Sequence, residues 1–256
     1  MKHVDEYRDG ALGQRLIARI AQLLPAARGR LGRARGEPIR IMEVCGGHTH
    51  TIFKYGLESA LPEDLVLAHG PGCPVCVLPM GRIDDAIALA RQPGAILCTF
   101  GDTLRVPGSE GSLLSAQARG ADVRIVYSPA DALALARRSP DRDVIFFAIG
   151  FETTAPSSAL VVQEARAEGV GNFSLFSNHI TIMPALRALL ESSELHLDGF
   201  IGPGHVSMVI GIDPYAEVAA RYGVPLVVAG FEPLDLLQSA AMVLEQLASG
   251  VARIEN

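Results

Sequence analysis

The 256-residue chain has only four cysteines, no apolar run of membrane-spanning length and no surplus of positive charge. Each shortage excludes something. A helix that crosses a bilayer needs about 20 apolar residues in a row, so no membrane segment is expected. Twenty-two Lys and Arg stand against 28 Asp and Glu, a net charge of −6, which repels polyanions and argues against non-specific nucleic-acid binding. Four cysteines are too few for a disulfide framework. In a reducing compartment the close pair Cys73 and Cys76 reads as metal ligands or a redox dithiol. The start, Met1-Lys2-His3-Val4-Asp5-Glu6, is charged and leads into no apolar stretch, so it is not a signal peptide, and a cytoplasmic protein is expected. Neither G-x-x-x-x-G-K-[ST] nor G-x-G-x-x-G occurs, which leaves Gly202-Pro203-Gly204 only a loose likeness to a phosphate-cradling turn. What is present, 49% hydrophobic and 20% charged residues, suits a globular chain with a sizeable core.

Leu12, Leu16, Ile17, Ile20, Leu23 and Leu24 fall close to helical spacing and predict an N-terminal helix within residues 1–35. The basic run that follows (Arg28, Arg30, Arg33, Arg35 and Arg40) reads first as a solvated helix end, and second as a docking face for an acidic partner. Beyond it, short apolar runs at Ile39–Cys45, Leu65–His69, Ala95–Phe100, Val123–Tyr127, Val144–Ile149, Phe173–Ser177, Gly199–Ile201 and Leu226–Ala229 alternate with helical patterns. Alternation of this kind predicts an α/β fold with mainly parallel sheets flanked by helices. The two halves of the chain also resemble each other. Gly46 maps onto Gly150, an offset of 104 residues, and Tyr127-Ser128-Pro129-Ala130-Asp131 maps onto Phe231-Glu232-Pro233-Leu234-Asp235. The expectation is two similar four-stranded lobes, residues 36–140 and 141–256, dividing near Ser139-Pro140-Asp141 and facing a central cleft.

Ligands of open α/β sheets bind outside the carboxyl ends of the strands. Those ends carry Cys45-Gly46-Gly47-His48, Gly70-Pro71-Gly72-Cys73-Pro74-Val75-Cys76, Gly150-Phe151-Glu152, Asn178-His179 and Gly202-Pro203-Gly204-His205. Cys45, before a predicted helix Thr49–Ala60 and close to His48 and His50, is expected to have a lowered thiol pKa that favours the nucleophilic, metal-binding thiolate. Its plain alternative is a small buried hydrophobe. The C-x-x-C pair fits a dithiol near a helix start, half of a zinc site that borrows Cys45 and a histidine, or inert spacing. Cys98, inside an apolar strand, reads as core. Glu152, His179 and His205 are candidates for proton transfer or for orienting a ligand, although Glu152 could cap a helix and either histidine could be structural. His3 and His196 carry no signal. On residues alone, a thiol-dependent redox or metal-handling protein ranks first. A small-molecule- or zinc-binding two-lobe protein with incidental thiols comes second, and a zinc hydrolase third.

Four segments then make a family recognisable: Met42-Glu43-Val44-Cys45-Gly46-Gly47-His48-Thr49-His50, His69 through Cys76, Gly150 through Pro156, and Asp198 through Val206. They resemble the hydrogenase maturation factor HypD family, in order and along most of the chain. The resemblance implies a role in building the Fe(CN)2CO part of the [NiFe]-hydrogenase site. It implies iron held through Cys45 and His48, which matches the family's histidine three residues on, with Gly46 and Gly47 in the binding loop. It further implies the small chaperone HypC as partner, HypE (with HypF) as cyanide donor, and a redox role for Cys73 and Cys76. Family members carry a [4Fe-4S] cluster on cysteines further along. None follows Cys98 here, so no cluster is expected on this chain.

Overall fold

A computed structural model describes residues 5–34 and 36–256. His3 and Arg35 lie outside the described residues. In chain order the elements are α1 (Gly10–Leu31), β1 (Ile39–Glu43), α2 (Gly46–Tyr55), α3 (Leu57–Ala60), β2 (Leu65–His69), α4 (Met80–Ala90), β3 (Ala95–Thr99), α5 (Leu113–Ala118), β4 (Val123–Ile125) and α6 (Pro129–Arg138). They continue with β5 (Asp143–Gly150), α7 (Ala155–Glu168), β6 (Phe173–His179), α8 (Ile182–Leu190), β7 (Gly199–Pro203), α9 (Gly204–Ile210), α10 (Ala216–Tyr222), β8 (Leu226–Ala229), α11 (Pro233–Ser249) and β9 (Ile254–Glu255). The fold is α/β, with every strand pairing parallel, in a five-stranded sheet β2-β1-β7-β8-β9 and a four-stranded sheet β4-β3-β5-β6.

The lobes are not successive halves of the chain, as the sequence division at Ser139–Asp141 had it. One compact unit comprises residues 1–73 and 182–256, and the other is the continuous stretch 74–181. Strand pairing is the reason: β1 takes β7 as its neighbour, with Ile41 opposite Gly199 and Glu43 opposite Ile201, while β3 pairs with β5. The internal likeness survives in another form. Replacing β1, β2, β7 and β8 by the corresponding strands of the other half turns β2-β1-β7-β8 into β6-β5-β3-β4, which is the smaller sheet read from its other edge. The fifth strand of the larger sheet, β9, has only two residues and stands outside this correspondence.

In the discontinuous unit, Ile20, Leu24 and Ala27 of α1 join Leu237, Ala240 and Leu244 of α11 over Ile39, Ile41, Leu65 and Leu67 of the sheet. α1 starts where the Asp9 carboxylate accepts from the Ala11 and Leu12 amides, and it ends at Gly32, whose φ of 65° suits glycine. Two arginines of the basic run are tied inward: Arg28 pairs with Asp64, and Arg33 with Glu37 and the buried Asp198. In the continuous unit the sheet is covered on both faces. Leu97 and Phe147 pack with Ile83 and Ile87 on one side, and Ile96, Cys98 and Phe146 pack with Ala132 and Ala136 on the other. Double coverage explains why β3 reads as an unbroken apolar run.

Candidate functional site

Cys45 stands between the end of β1 and the first turn of α2, half-buried, with extended backbone (φ −152°, ψ 127°). Just before it, Glu43 is fully buried, an uncommon place for a carboxylate unless donors surround it. Its Oε2 accepts from the Cys45 N–H at 2.9 Å, its Oε1 accepts from the Thr49 hydroxyl, and His69 Nδ1 lies 2.8 Å from the same oxygen. The other nitrogen of His69 lies 3.2 Å from Glu58 Oε1. The thiol itself is not the activated one that the sequence predicted. Burial pushes the Cys45 pKa up, the amides of Gly47 and His48 pull it back by less, and the Glu43 charge adds to the rise. The helix start does favour thiolate, but desolvation outweighs it.

Helix α2 begins at Gly46, earlier than the predicted Thr49, and it stops at Gly56 before the short α3. The two glycines serve close packing. A methyl group on Gly46 would lie 3.1 Å from the Gly72 carbonyl, and one on Gly47 would lie 2.6 Å from the Phe231 ring. The Gly46 amide donates to the Gly72 carbonyl at 3.0 Å, so the loop leading to Cys73 rests directly on the Cys45 loop. A methyl on Gly72 would fall 2.3 Å from the Gly46 nitrogen, a clash with backbone that only glycine avoids.

His48 is wholly buried. Its Nε2 lies 3.4 Å from the Ala229 carbonyl, its Nδ1 has no hydrogen-bond partner and sits 3.9 Å from Glu43 Oε2, and desolvation lowers its pKa. His205, in the first turn of α9, is exposed and stacks on Phe231 with ring centroids 4.0 Å apart, while His48 meets the same ring at 4.9 Å. A cavity of about 530 Å³ opens beside them, lined by His205, Met208, Val228 and Phe231 among others. The discontinuous unit therefore gathers Cys45, Gly46, Gly47, His48, Cys73 and His205 at the carboxyl ends of β1, β2, β7 and β8.

The continuous unit carries the rest. Cys76 is exposed in the turn at 74–77, and α4 begins at Met80, four residues on, so the pair precedes a helix as the sequence suggested. Glu152 is buried and does not cap α7, whose N-cap is Thr154. His179, at the end of β6, has Nδ1 3.0 Å from Ser177 Oγ and Nε2 3.5 Å from Ser158 Oγ, and burial lowers its pKa. Cys98 is core, as expected, with its thiol pushed up to about 11 by burial. Among the described residues, no three His, Cys, Asp or Glu side chains stand together as a ready metal cluster, and no helix is long and apolar enough to cross a membrane.

Sequence reasoning missed Glu43 and Phe231 as site residues. Glu43 had a signal: a lone acid ending the strand Ile39-Arg40-Ile41-Met42, just before the cysteine. Phe231 carries a signal in the sequence only as part of the repeat. Its counterpart Tyr127 is 91% exposed, so the repeat does not predict the packing.

Residues 17–256 match the family described as HypD, hydrogenase formation hypA family. The hydrogenase maturation factor HypD of Rhodobacter capsulatus is 58% identical over 256 residues, covering 100% of this chain and 67% of that protein. Those of Escherichia coli (strain K12) and Azotobacter vinelandii are 54% and 56% identical, again over 100% of this chain and over 68% and 67% of theirs. The chain thus spans about two thirds of the length of these relatives. Among solved structures, a conserved domain protein from Vibrio cholerae aligns at a TM-score of 0.18 and 11% identity over 86% of this chain and 89% of that one, too slight a likeness to bear on the fold.

Proposed function

Because the chain belongs to the HypD family of hydrogenase maturation factors, we propose that it helps to build the Fe(CN)2CO part of the [NiFe]-hydrogenase site, with iron as cargo held through Cys45 and the small chaperone HypC. The supporting observation is the Cys45 loop. A half-buried thiol sits over the first turn of a helix, its backbone gripped by a buried carboxylate, with a second thiol loop packed against it. Thiolate is a soft ligand suited to holding iron, and a bound cation reverses the burial penalty that keeps the thiol protonated. His48 supports this loop from beneath, because no part of its ring reaches the surface.

Cys73 and Cys76 supply the reducing step. Two thiols and a protein thiocyanate delivered by HypE, itself made with HypF, give a disulfide, a thiol on the donor and hydrogen cyanide, so two electrons pass from sulfur to the cleaved S–C bond. The deciding experiment is Cys45→Ala in the co-purified complex with HypC. Iron content falls to background while the melting temperature stays within a few degrees, because a lone Cys→Ala change costs about 1 kcal/mol. Iron retained at the parent level defeats the reading.

A further inference from the structure

We propose that Glu43 is a positioning residue that binds the Cys45 and Cys73 loops into one dithiol site. Three kinds of contact converge on it. Its carboxylate takes the Cys45 N–H and the Thr49 hydroxyl, which fixes the cysteine and the first turn of α2. The same carboxylate meets His69 at 2.8 Å, and the Glu43 carbonyl accepts from the Gly70 amide at 2.8 Å, which fixes the start of the loop to Cys73. That loop then closes on the Cys45 loop through the Gly46–Gly72 bond. A methyl on Gly72 would lie 3.0 Å from Cys45 Cα. Bond lengths then place Cys73 Cα no more than about 8 Å from Cys45 Cα. The two thiols belong to the same compact unit, whereas Cys76 belongs to the other. Removing the buried carboxylate leaves the Cys45 N–H and the Thr49 hydroxyl unsatisfied and releases His69 at the start of the other loop, while the Gly70 bond to the Glu43 backbone remains.

The inference extends the proposed role of Cys45, but it is tested by geometry with no iron present. The probe is dibromobimane, a short bridging alkylator, applied to Cys76→Ser protein, with the bridge mapped by peptide mass and normalised to single-site alkylation by iodoacetamide. The parent gives a Cys45–Cys73 bridge. Glu43→Asp, which keeps the charge but falls one methylene short, and Glu43→Ala each lower bridging at least fivefold. Glu43→Gln stays within twofold, because its oxygen can serve the Cys45 N–H while its amide faces Thr49 and His69. Should Glu43→Ala fail to fold in a thermal melt, the Asp and Gln variants decide. Equal bridging in all variants, a Gln variant as poor as Asp, or no bridge in the parent each overturns the inference. A parent protein that gives the bridge but retains no iron with HypC would instead defeat the iron reading alone.

Discussion

Gly47 lies so close to Phe231 that a single added methyl tests the whole site. A Cβ there would meet ring carbons at 2.6 and 2.8 Å, and the ring is already held against His48 and His205. Gly47→Ala should therefore cost about 1–3 kcal/mol through overpacking. A urea midpoint measures the loss, and Phe231→Leu in the same chain should restore part of it; no restoration would mean that the ring is not the obstacle. His179 makes a pH prediction. Burial lowers its pKa, so the folded state binds fewer protons than the unfolded one. Its share of stability is complete above the ordinary value of about 6.5 and is lost as pH falls through the lower folded value. His179→Gln should thus lose less melting temperature than the parent between about pH 7.5 and pH 5. Parallel slopes would refute that.

At the scale of elements, the two halves of the repeat start a helix by the same device. Asp131 reaches back to the Ser128 amide ahead of α6, and Asp235 to the Glu232 amide ahead of α11, each with proline in the first turn. This much was legible in the shared aromatic-x-Pro-x-Asp pattern, because caps are local chemistry. α11 also buries Leu236, Leu237, Ala240 and Leu244 under the larger sheet, so losing its cap should be felt globally. Asp235→Ala is expected to cost about 1 kcal/mol. Denaturant unfolding and faster amide exchange in the first turn of α11 report it. Unchanged exchange there would show that packing alone sets the helix start.

For the whole molecule, the division into units predicts which pieces fold alone. Residues 74–181 contain all four strands of their sheet, with both apolar faces covered by their own helices. A fragment of those residues should melt cooperatively by circular dichroism. Residues 182–256 alone should not, because β7 loses its neighbour β1 and α11 loses α1. A cooperative melt from the second fragment, or none from the first, would contradict this division.

The sequence by itself determined the element types, the parallel sheets, the glycine–cysteine–histidine loops at strand ends and the family, because these depend on periodicity, caps and residues close together in the chain. It also marked Cys98 as core, since an unbroken apolar strand leaves a thiol nowhere else to go. Only the tertiary structure decided which strands share a sheet, because like strands in a repeat say nothing of which pairing buries more apolar face. It alone showed that burial outweighs the helix start at Cys45, and that His48 is buried against Phe231. Desolvation and contacts between residues some 180 positions apart, such as Thr51 with the Phe231 carbonyl, arise only once the chain has closed around them.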